Sequence, residues 1–416
     1  MTTWKLAWRQ LLRNRSRTLI TGSAIALAVA LFLASLALGD GMYAKMMEAA
    51  ERSAGGGVLV HERGYWKNRE LSARVAEPGA VAAAARGVPG VSAVAERVLI
   101  EGILTSAANE GFAAVTVRGV DPDAERAFND LGRFLTSGTF LASDDARAIV
   151  LGEKLAEDLS VALGDRLVLR FTDASGEEAQ ALFRLGGVVA TGSADIDRTI
   201  ALVRLGTAQD AARLGGAVTQ IGVEGAPGAD LDALKGAVAG ALGPRAAGLE
   251  LLTWQEAMPE LVGFIEMDGN MNIMFALVIF AIVAFGIANT FLMSVMERVR
   301  ELGLLSALGV TPLRVGALVL AETALLALFA MGVGLAIALG LHAYFATHGL
   351  DYGALLGGDF DVSGVIVDDL VIHTTVDAPR WIAACAGVLV MIVLAAIYPA
   401  WRATRLDPSQ AMRTYE

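Results

Sequence analysis

Four stretches without a charged side chain, Thr18 to Leu38, Gly269 to Met296, Thr323 to Leu341 and Trp381 to Trp401, constrain this chain more than anything else in it. Each has close to or more than the roughly 20 residues a helix needs to cross a hydrocarbon layer about 30 Å thick. Helices are the expected form, because lipid offers no partner to an unsatisfied backbone N–H or C=O. With 55% hydrophobic and 19% charged residues, the composition agrees with a multi-pass membrane protein. The first stretch, preceded by "RNRSR", also has the layout of a secretory signal. Its uncharged run exceeds the roughly 7 to 15 residues of a signal core and three more spans follow, so it reads as a retained span.

Orientation follows from Lys and Arg. Segments 1–17, 297–314 and 402–416 hold 11 of the 33 basic residues, although they make up only 50 positions. These segments are expected in the cytoplasm. They carry a net charge of +7 within a chain of net −11, which leaves an acidic remainder outside and no basic surface for nucleic acid. Cys385, the single cysteine, lies mid-span, so no disulfide within the chain can brace the outside portion. It reads as a small packing residue.

The segment boundaries are therefore 1–17 for an amphipathic N-terminal helix, 18–40 for the first span, 41–268 for a large outside domain, and 269–296 for the second span. A cytoplasmic segment follows at 297–314, a third span at 315–345, an outer loop at 346–379, a fourth span at 380–401 and a tail at 402–416. The fold class is four transmembrane α-helices plus an extracytoplasmic α+β domain between spans one and two. In that domain, strand-like runs at 57–61, 114–120, 166–171, 183–190 and 219–225 alternate with helix-like runs at 78–88, 152–161, 206–214 and 229–242.

Thr253 with Glu256 three residues on is a capping-box pattern. If Pro259 only bends the helix it opens, the second span continues outward as a stalk. The third span offers two small-residue pairs at four-residue spacing, Gly334 with Ala338 and Ala336 with Gly340, which either let helices approach or are ordinary span composition. Glu322 is that span's one charge; near its inner end it can reach the interface or pair with a basic residue such as Arg314. His342, His348 and His373 lie among six aspartates in 342–380 without metal-ligand spacing, and read as solvated loop residues.

No phosphate-binding loop, nucleophile elbow or HExxH motif occurs, so no catalytic centre is expected. What remains is a charged island, "MERVRELGLLSALGVTPLRV" at 296–315. It reads as a helix continuous with span two, a stop at Gly309, an N-cap at Thr311, and Pro312 opening the next helix. Arg298 and Arg300 fit the anchoring of a helix end. Leu302, Leu304, Leu305 and Leu308 require either lipid or a partner surface to cover them.

The pattern Glu297-x-x-x-Glu301-Leu-Gly-x-Leu-x-Ala-Leu-Gly309 is similar to the segment after span two in permeases of the FtsX/MacB type. The tail "YPAWRATRLDPSQAMR" and the opening "LAWRQLLRNRSRT" resemble the ends of that family. "GVDP" (119–122) and "IVLGEKLAEDLSVALGDRLVL" (149–169) look like the outside domain of the lipoprotein-releasing Lol permeases. The resemblance implies a non-catalytic ABC transporter permease in the bacterial inner membrane. It implies pairing with a second permease, in a homo- or heterodimer, and with two cytoplasmic ATPase subunits that carry ATP and Mg, leaving no cofactor in this chain.

By the same resemblance Glu297, Glu301, Leu302, Gly303, Leu305, Leu308 and Gly309 form a coupling helix held by the ATPase, and the work done is release of lipoproteins or another hydrophobic substrate from the membrane. An FtsX-like transmitter acting on a periplasmic partner, and MacB-like export of peptide, antibiotic or haem, stay open. No ATPase domain is expected to be fused to the chain.

Overall fold

A computed structural model describes residues 3–13, 15–107, 111–128, 130–141, 145–191, 197–308, 310–351 and 371–405. The chain divides into two compact units. Among the described residues, one comprises 3–44, 265–351 and 371–405, and the other 45–264. Gly309, most of the outer loop and the tail from residue 406 lie outside the described residues, as do the side chains of Leu305 and Ser306.

The membrane unit is helical. Its four long helices are Arg15–Ala54, Pro259–Glu297, Pro312–His348 and Ala378–Thr404, with 40, 39, 37 and 27 residues. All four are apolar and long enough to span a bilayer. The first three extend well past the uncharged stretches, because helix propensity does not stop where hydropathy does. Ile25, Val29 and Leu33 of the first pack with Phe280 and Ile287 of the second, Leu326 and Ala330 of the third, and Trp381 and Ile392 of the fourth. Phe32 meets Phe280 edge to face at 4.9 Å. The first stretch is thus an integral part of the helical core.

One of the two small-residue pairs is used. Gly334 and Ala338 are buried, and a methyl group on Gly334 would stand 2.6 Å from the Ala26 carbonyl oxygen of the first span. Ala336 and Gly340 are exposed, and a methyl on Gly340 would meet nothing within 4 Å. Close approach is a property of one helix face, and spacing alone does not say which. At the far end of the unit Asp40 is paired with Arg380, and His342 Nδ1 lies 2.9 Å from Thr374 Oγ1. His348 stacks on Tyr344, and no group of three or more His, Cys, Asp or Glu among the described residues converges as metal ligands would.

The other unit is an α+β domain built on one ten-stranded sheet. Its strands are β1 (Val58–Glu62), β2 (Val91–Ser106), β3 (Phe112–Val120), β4 (Leu135–Gly138), β5 (Ala148–Gly152), β6 (Arg166–Thr172), β7 (Glu178–Val189), β8 (Ala201–Arg204), β9 (Gln220–Gly225) and β10 (Leu249–Thr253). The order is β10-β1-β9-β2-β3-β8-β5-β7-β4, with β6 bridging β2 and β7. The five strand-like runs correspond to β1, β3, β6, β7 and β9, and the four helix-like runs to helices Pro78–Arg86, Glu153–Asp158, Leu205–Ala211 and Leu231–Leu242.

Periodicity missed β2, the longest strand. Its 16 residues pair with β3, β6 and β9 along different parts of their length, so the buried face changes and no single alternation runs through it. Helix Leu205–Ala211 lies on β3 at Gly119, where a Cβ would collide with that of Ala208. Beneath the helices sits a core that includes Val60, Val98, Ile100, Ile149, Leu155, Phe183, Val223 and Val238, all at most 2% exposed.

The Thr253–Glu256 capping box forms as expected: the Thr253 N–H donates to Glu256 Oε2 at 2.9 Å, and the Glu256 N–H to Thr253 Oγ1 at 3.4 Å. The helix it opens is only Trp254–Ala257. Met258 leaves helical geometry and Pro259 starts the long helix instead of bending an existing one. That follows from the chemistry of proline, which has no N–H to give to an upstream carbonyl but is well suited to the first turn.

Candidate coupling site

The helix of the second span does not run on through the charged island. It ends at Glu297, Arg298 is a turn, and a new helix covers Val299–Ala307. The Arg298 N–H donates to the Val295 carbonyl, a tightened i to i−3 bond, while the Leu302 N–H donates to the Arg298 carbonyl at 2.9 Å. The break falls on the residue whose side chain is most heavily engaged.

Arg298 Nη1 donates to Glu322 Oε2 at 3.1 Å and Arg298 Nε to Glu301 Oε2 at 3.3 Å. Glu301 also receives a hydrogen bond from Arg13 of the N-terminal helix Thr3–Arg13. Four charges from the N-terminal helix, the island and the third span thus form one network. Glu322 pairs with Arg298; Arg314, the partner suggested by sequence, is exposed. The Glu322 side chain is 4% exposed and that of Arg298 12%, so the pair is largely desolvated. The Arg13 bond to Glu301, and then that of Arg298, hold the Glu301 carboxyl below its ordinary pKa against the opposing effect of burial.

The leucines divide between two faces. Leu302 is 2% exposed and packs with Val295, Val315, Val319, Ala400 and Ala403, and Gly303 is buried beside it. Leu304 and Leu308 are 56% and 74% exposed, and with Arg300 they follow a four-residue spacing down one outward face. Leu313, at the start of the third long helix, is exposed as well. Glu297 is exposed and Glu301 is half-buried. Thr311 occupies the N-cap position and Pro312 the first helical position, but the Thr311 hydroxyl makes no capping bond; its carbonyl accepts from the N–H groups of Arg314 and Val315. On the N-terminal helix, Ala7 packs against Leu318 and Ala321, while Trp8 and Leu12 face outward.

Of the seven residues singled out by sequence, the structure brings Glu301 into the charge network, turns Leu302 and Gly303 inward and Leu308 outward. Arg13, Arg298 and Glu322 belong to the same constellation and were not among the seven. The available signals were the three-residue spacing of Arg298 and Glu301 and the need of a carboxylate within a span for a cation.

Residues 18–241 match the profile of the MacB-like periplasmic core domain, and residues 273–408 that of the FtsX-like permease C-terminal domain. The chain belongs to the FtsX/MacB family of ABC transporter permeases. Among curated relatives, the lipoprotein-releasing system transmembrane protein LolC of Xylella fastidiosa is 25% identical over 310 residues, covering 71% of this chain and 72% of its own. LolC of Neisseria meningitidis is 24% identical over 339 residues, 78% of each chain. Among solved structures, the periplasmic region of MacB from Actinobacillus actinomycetemcomitans aligns with 48% of this chain and 90% of its own, at 16% identity and a TM-score of 0.34.

Permeases of this family are membrane transport subunits of ABC transporters. The described helices and the family place this one in a bacterial inner membrane with its α+β domain in the periplasm.

Proposed function

We propose that this permease docks cytoplasmic ABC ATPase subunits on the outward face of helix Val299–Ala307, pairs with a second permease, and uses ATP turnover to release lipoproteins, or another hydrophobic substrate, from the inner membrane. The substrate class rests on one observation: the likeness across 71% of the chain to proteins named for lipoprotein release. ATP and Mg are held by the ATPase partner, and both termini lie with it in the cytoplasm.

The geometry supports a mechanical role. Arg300, Leu304 and Leu308 face outward, and burial of each leucine in an ATPase cleft is worth roughly 1.5–3 kcal/mol. Leu302, Gly303 and the Arg298 network tie the same helix to spans three and four, so a push on the outer face is passed to the bundle. At 1.5 Å per residue, the 39-residue helix Pro259–Glu297 is about 58 Å long, nearly twice the hydrocarbon thickness. A rigid element of that length carries motion across the membrane without a pore, which also favours a second reading, transmission of force to a periplasmic partner with nothing transported.

Co-purification of the ATPase with the tagged permease tests the docking. Leu304→Asp and Leu308→Asp should each abolish association while leaving the melting temperature unchanged. Retained association in both would refute the assignment. Depletion of the permease should leave lipoproteins in the inner membrane; normal sorting, with a cell-wall hydrolase recovered on the permease, would replace release by transmission.

A further inference from the structure

The periplasmic domain contains a polar cavity of about 170 Å³ that the coupling mechanism does not use. Its walls include Arg52, Arg69, Arg97 and Arg118, against Glu101 and Glu125, so cations outnumber carboxylates two to one. Such an excess in a confined space is unfavourable unless something else supplies negative charge.

Two of these cations are already engaged. Arg52 is paired with Glu48, and Arg97 Nε donates to Glu125 Oε2 at 2.7 Å while its Nη1 donates to the Gly55 carbonyl. Arg97 also lies over the Phe128 ring, its guanidinium carbon 4.6 Å from the centroid. Yet Arg97 Nη2, on a residue only 2% exposed, has no hydrogen-bond partner. A buried guanidinium N–H without an acceptor is costly, and here it borders an open space.

Arg69 and Arg118 are half-buried on the same walls, and among the described residues neither forms an ion pair with a carboxylate. Arg69 is stacked on Trp66, its guanidinium carbon 3.6 Å from the ring centroid, and Trp66 is anchored by its Nε1 donating to the Ala257 carbonyl at 3.0 Å. The guanidinium is therefore held in place by its plane, with the Tyr65 hydroxyl beside it and its remaining in-plane N–H donors left for an acceptor. Burial lowers the pKa of Arg118, with Glu125 opposing and the neighbouring Arg97 and Arg69 charges adding to the shift.

We propose that this cavity is a binding site for a small oxyanionic group, a phosphate or carboxylate, gripped between Arg69, Arg97 and Arg118. Planar guanidinium forks match the oxygen spacing of both groups. The cavity is far too small for a folded polypeptide, and the occupant is the anionic group of a small molecule or of a lipid headgroup.

Isothermal titration of the full-length permease in neutral detergent, with inorganic phosphate and with acetate at constant ionic strength set by chloride, tests this. Binding heat is the readout because phosphate also stabilises proteins by exclusion from their surface. Saturable binding of at least one anion is expected, weakened about tenfold or more in Arg69→Gln and in Arg118→Gln, as for loss of a charge-assisted hydrogen bond. Glu101→Gln should tighten binding, an outcome that a purely structural cluster does not produce. Arg97→Gln is avoided because Arg97 also holds Glu125 and Gly55.

Displacement of bound phosphate by a short-chain phosphatidylglycerol identifies a headgroup as the source, and failure to displace identifies a free anion; either supports the site. Absence of saturable binding by both anions, or equal affinity in wild type and both arginine variants, would overturn it.

Discussion

Removal of Arg298 should expose how much the coupling segment depends on its tie to the third span. In Arg298→Met the stem volume is kept and the cation is lost, which leaves Glu322, 4% exposed, without its partner at 3.1 Å. Two unit charges about 4 Å apart attract by roughly 4 kcal/mol at an effective dielectric of 20, and breaking a buried pair on one side typically costs about 3–5 kcal/mol. Arg298 retains 12% exposure, so a loss near the lower end, roughly 3 kcal/mol, is expected. Glu301 loses one of its two arginines in the same variant but keeps Arg13. The double variant Arg298→Met/Glu322→Gln should recover most of the loss, since a neutral amide replaces the stranded carboxylate. Arg300→Met, an exposed control, should change stability by no more than about 0.5 kcal/mol. Unfolding in mixed micelles, followed by tryptophan fluorescence, measures all four proteins. If Arg298→Met unfolds with Arg300→Met, or if the double variant is no more stable than Arg298→Met alone, the pair does not hold the segment.

Three further outcomes follow from the structure. Gly334→Ala should cost about 1–3 kcal/mol in the same unfolding assay, because its methyl would stand 2.6 Å from the Ala26 carbonyl oxygen, whereas Gly340→Ala should be silent. Burial, reinforced by Glu51, raises the Glu224 carboxyl to about 7, so the native state holds a proton that the unfolded chain releases near 4.5; stability is lost as pH rises between those values, and Glu224→Gln should stabilise the protein at pH 8 but not at pH 4.5. Burial likewise lowers His61 to about 4, so the unfolded chain binds that proton first. Domain stability should fall as pH drops from about 6.5 to 4, and His61→Phe should flatten that part of the melting-temperature profile.

Much of the architecture is written locally. A run of 28 residues without a charge has few ways to exist except as a span, and alternating runs such as "RLVLRF" and the Asp230-capped "LDALKGAVAGAL" carry their own secondary structure. The island announced itself because charges between two spans require an aqueous face. Its internal division did not. Leu302, Leu304 and Leu308 have the same chemistry, and only the packing of Leu302 against Val315, Val319 and Ala400 decides which face is spent within the chain and which is left for a partner.

The same limit applies to the charges. Arg13 and Glu301 are 288 positions apart, and Arg97 and Arg118 read as ordinary polar positions on half-buried strands. Sequence by itself determined the spans, the α+β character of the periplasmic domain and the place of the cytoplasmic island, because each follows from composition within a window of a few turns or strand residues. Tertiary structure alone decided that Arg298 breaks the second helix and closes on Glu322, that Gly334 and not Gly340 meets a neighbouring span, and that the arginines of β2 and β3 surround one cavity. Those outcomes depend on which faces of distant segments meet, and register and rotation are set by global packing.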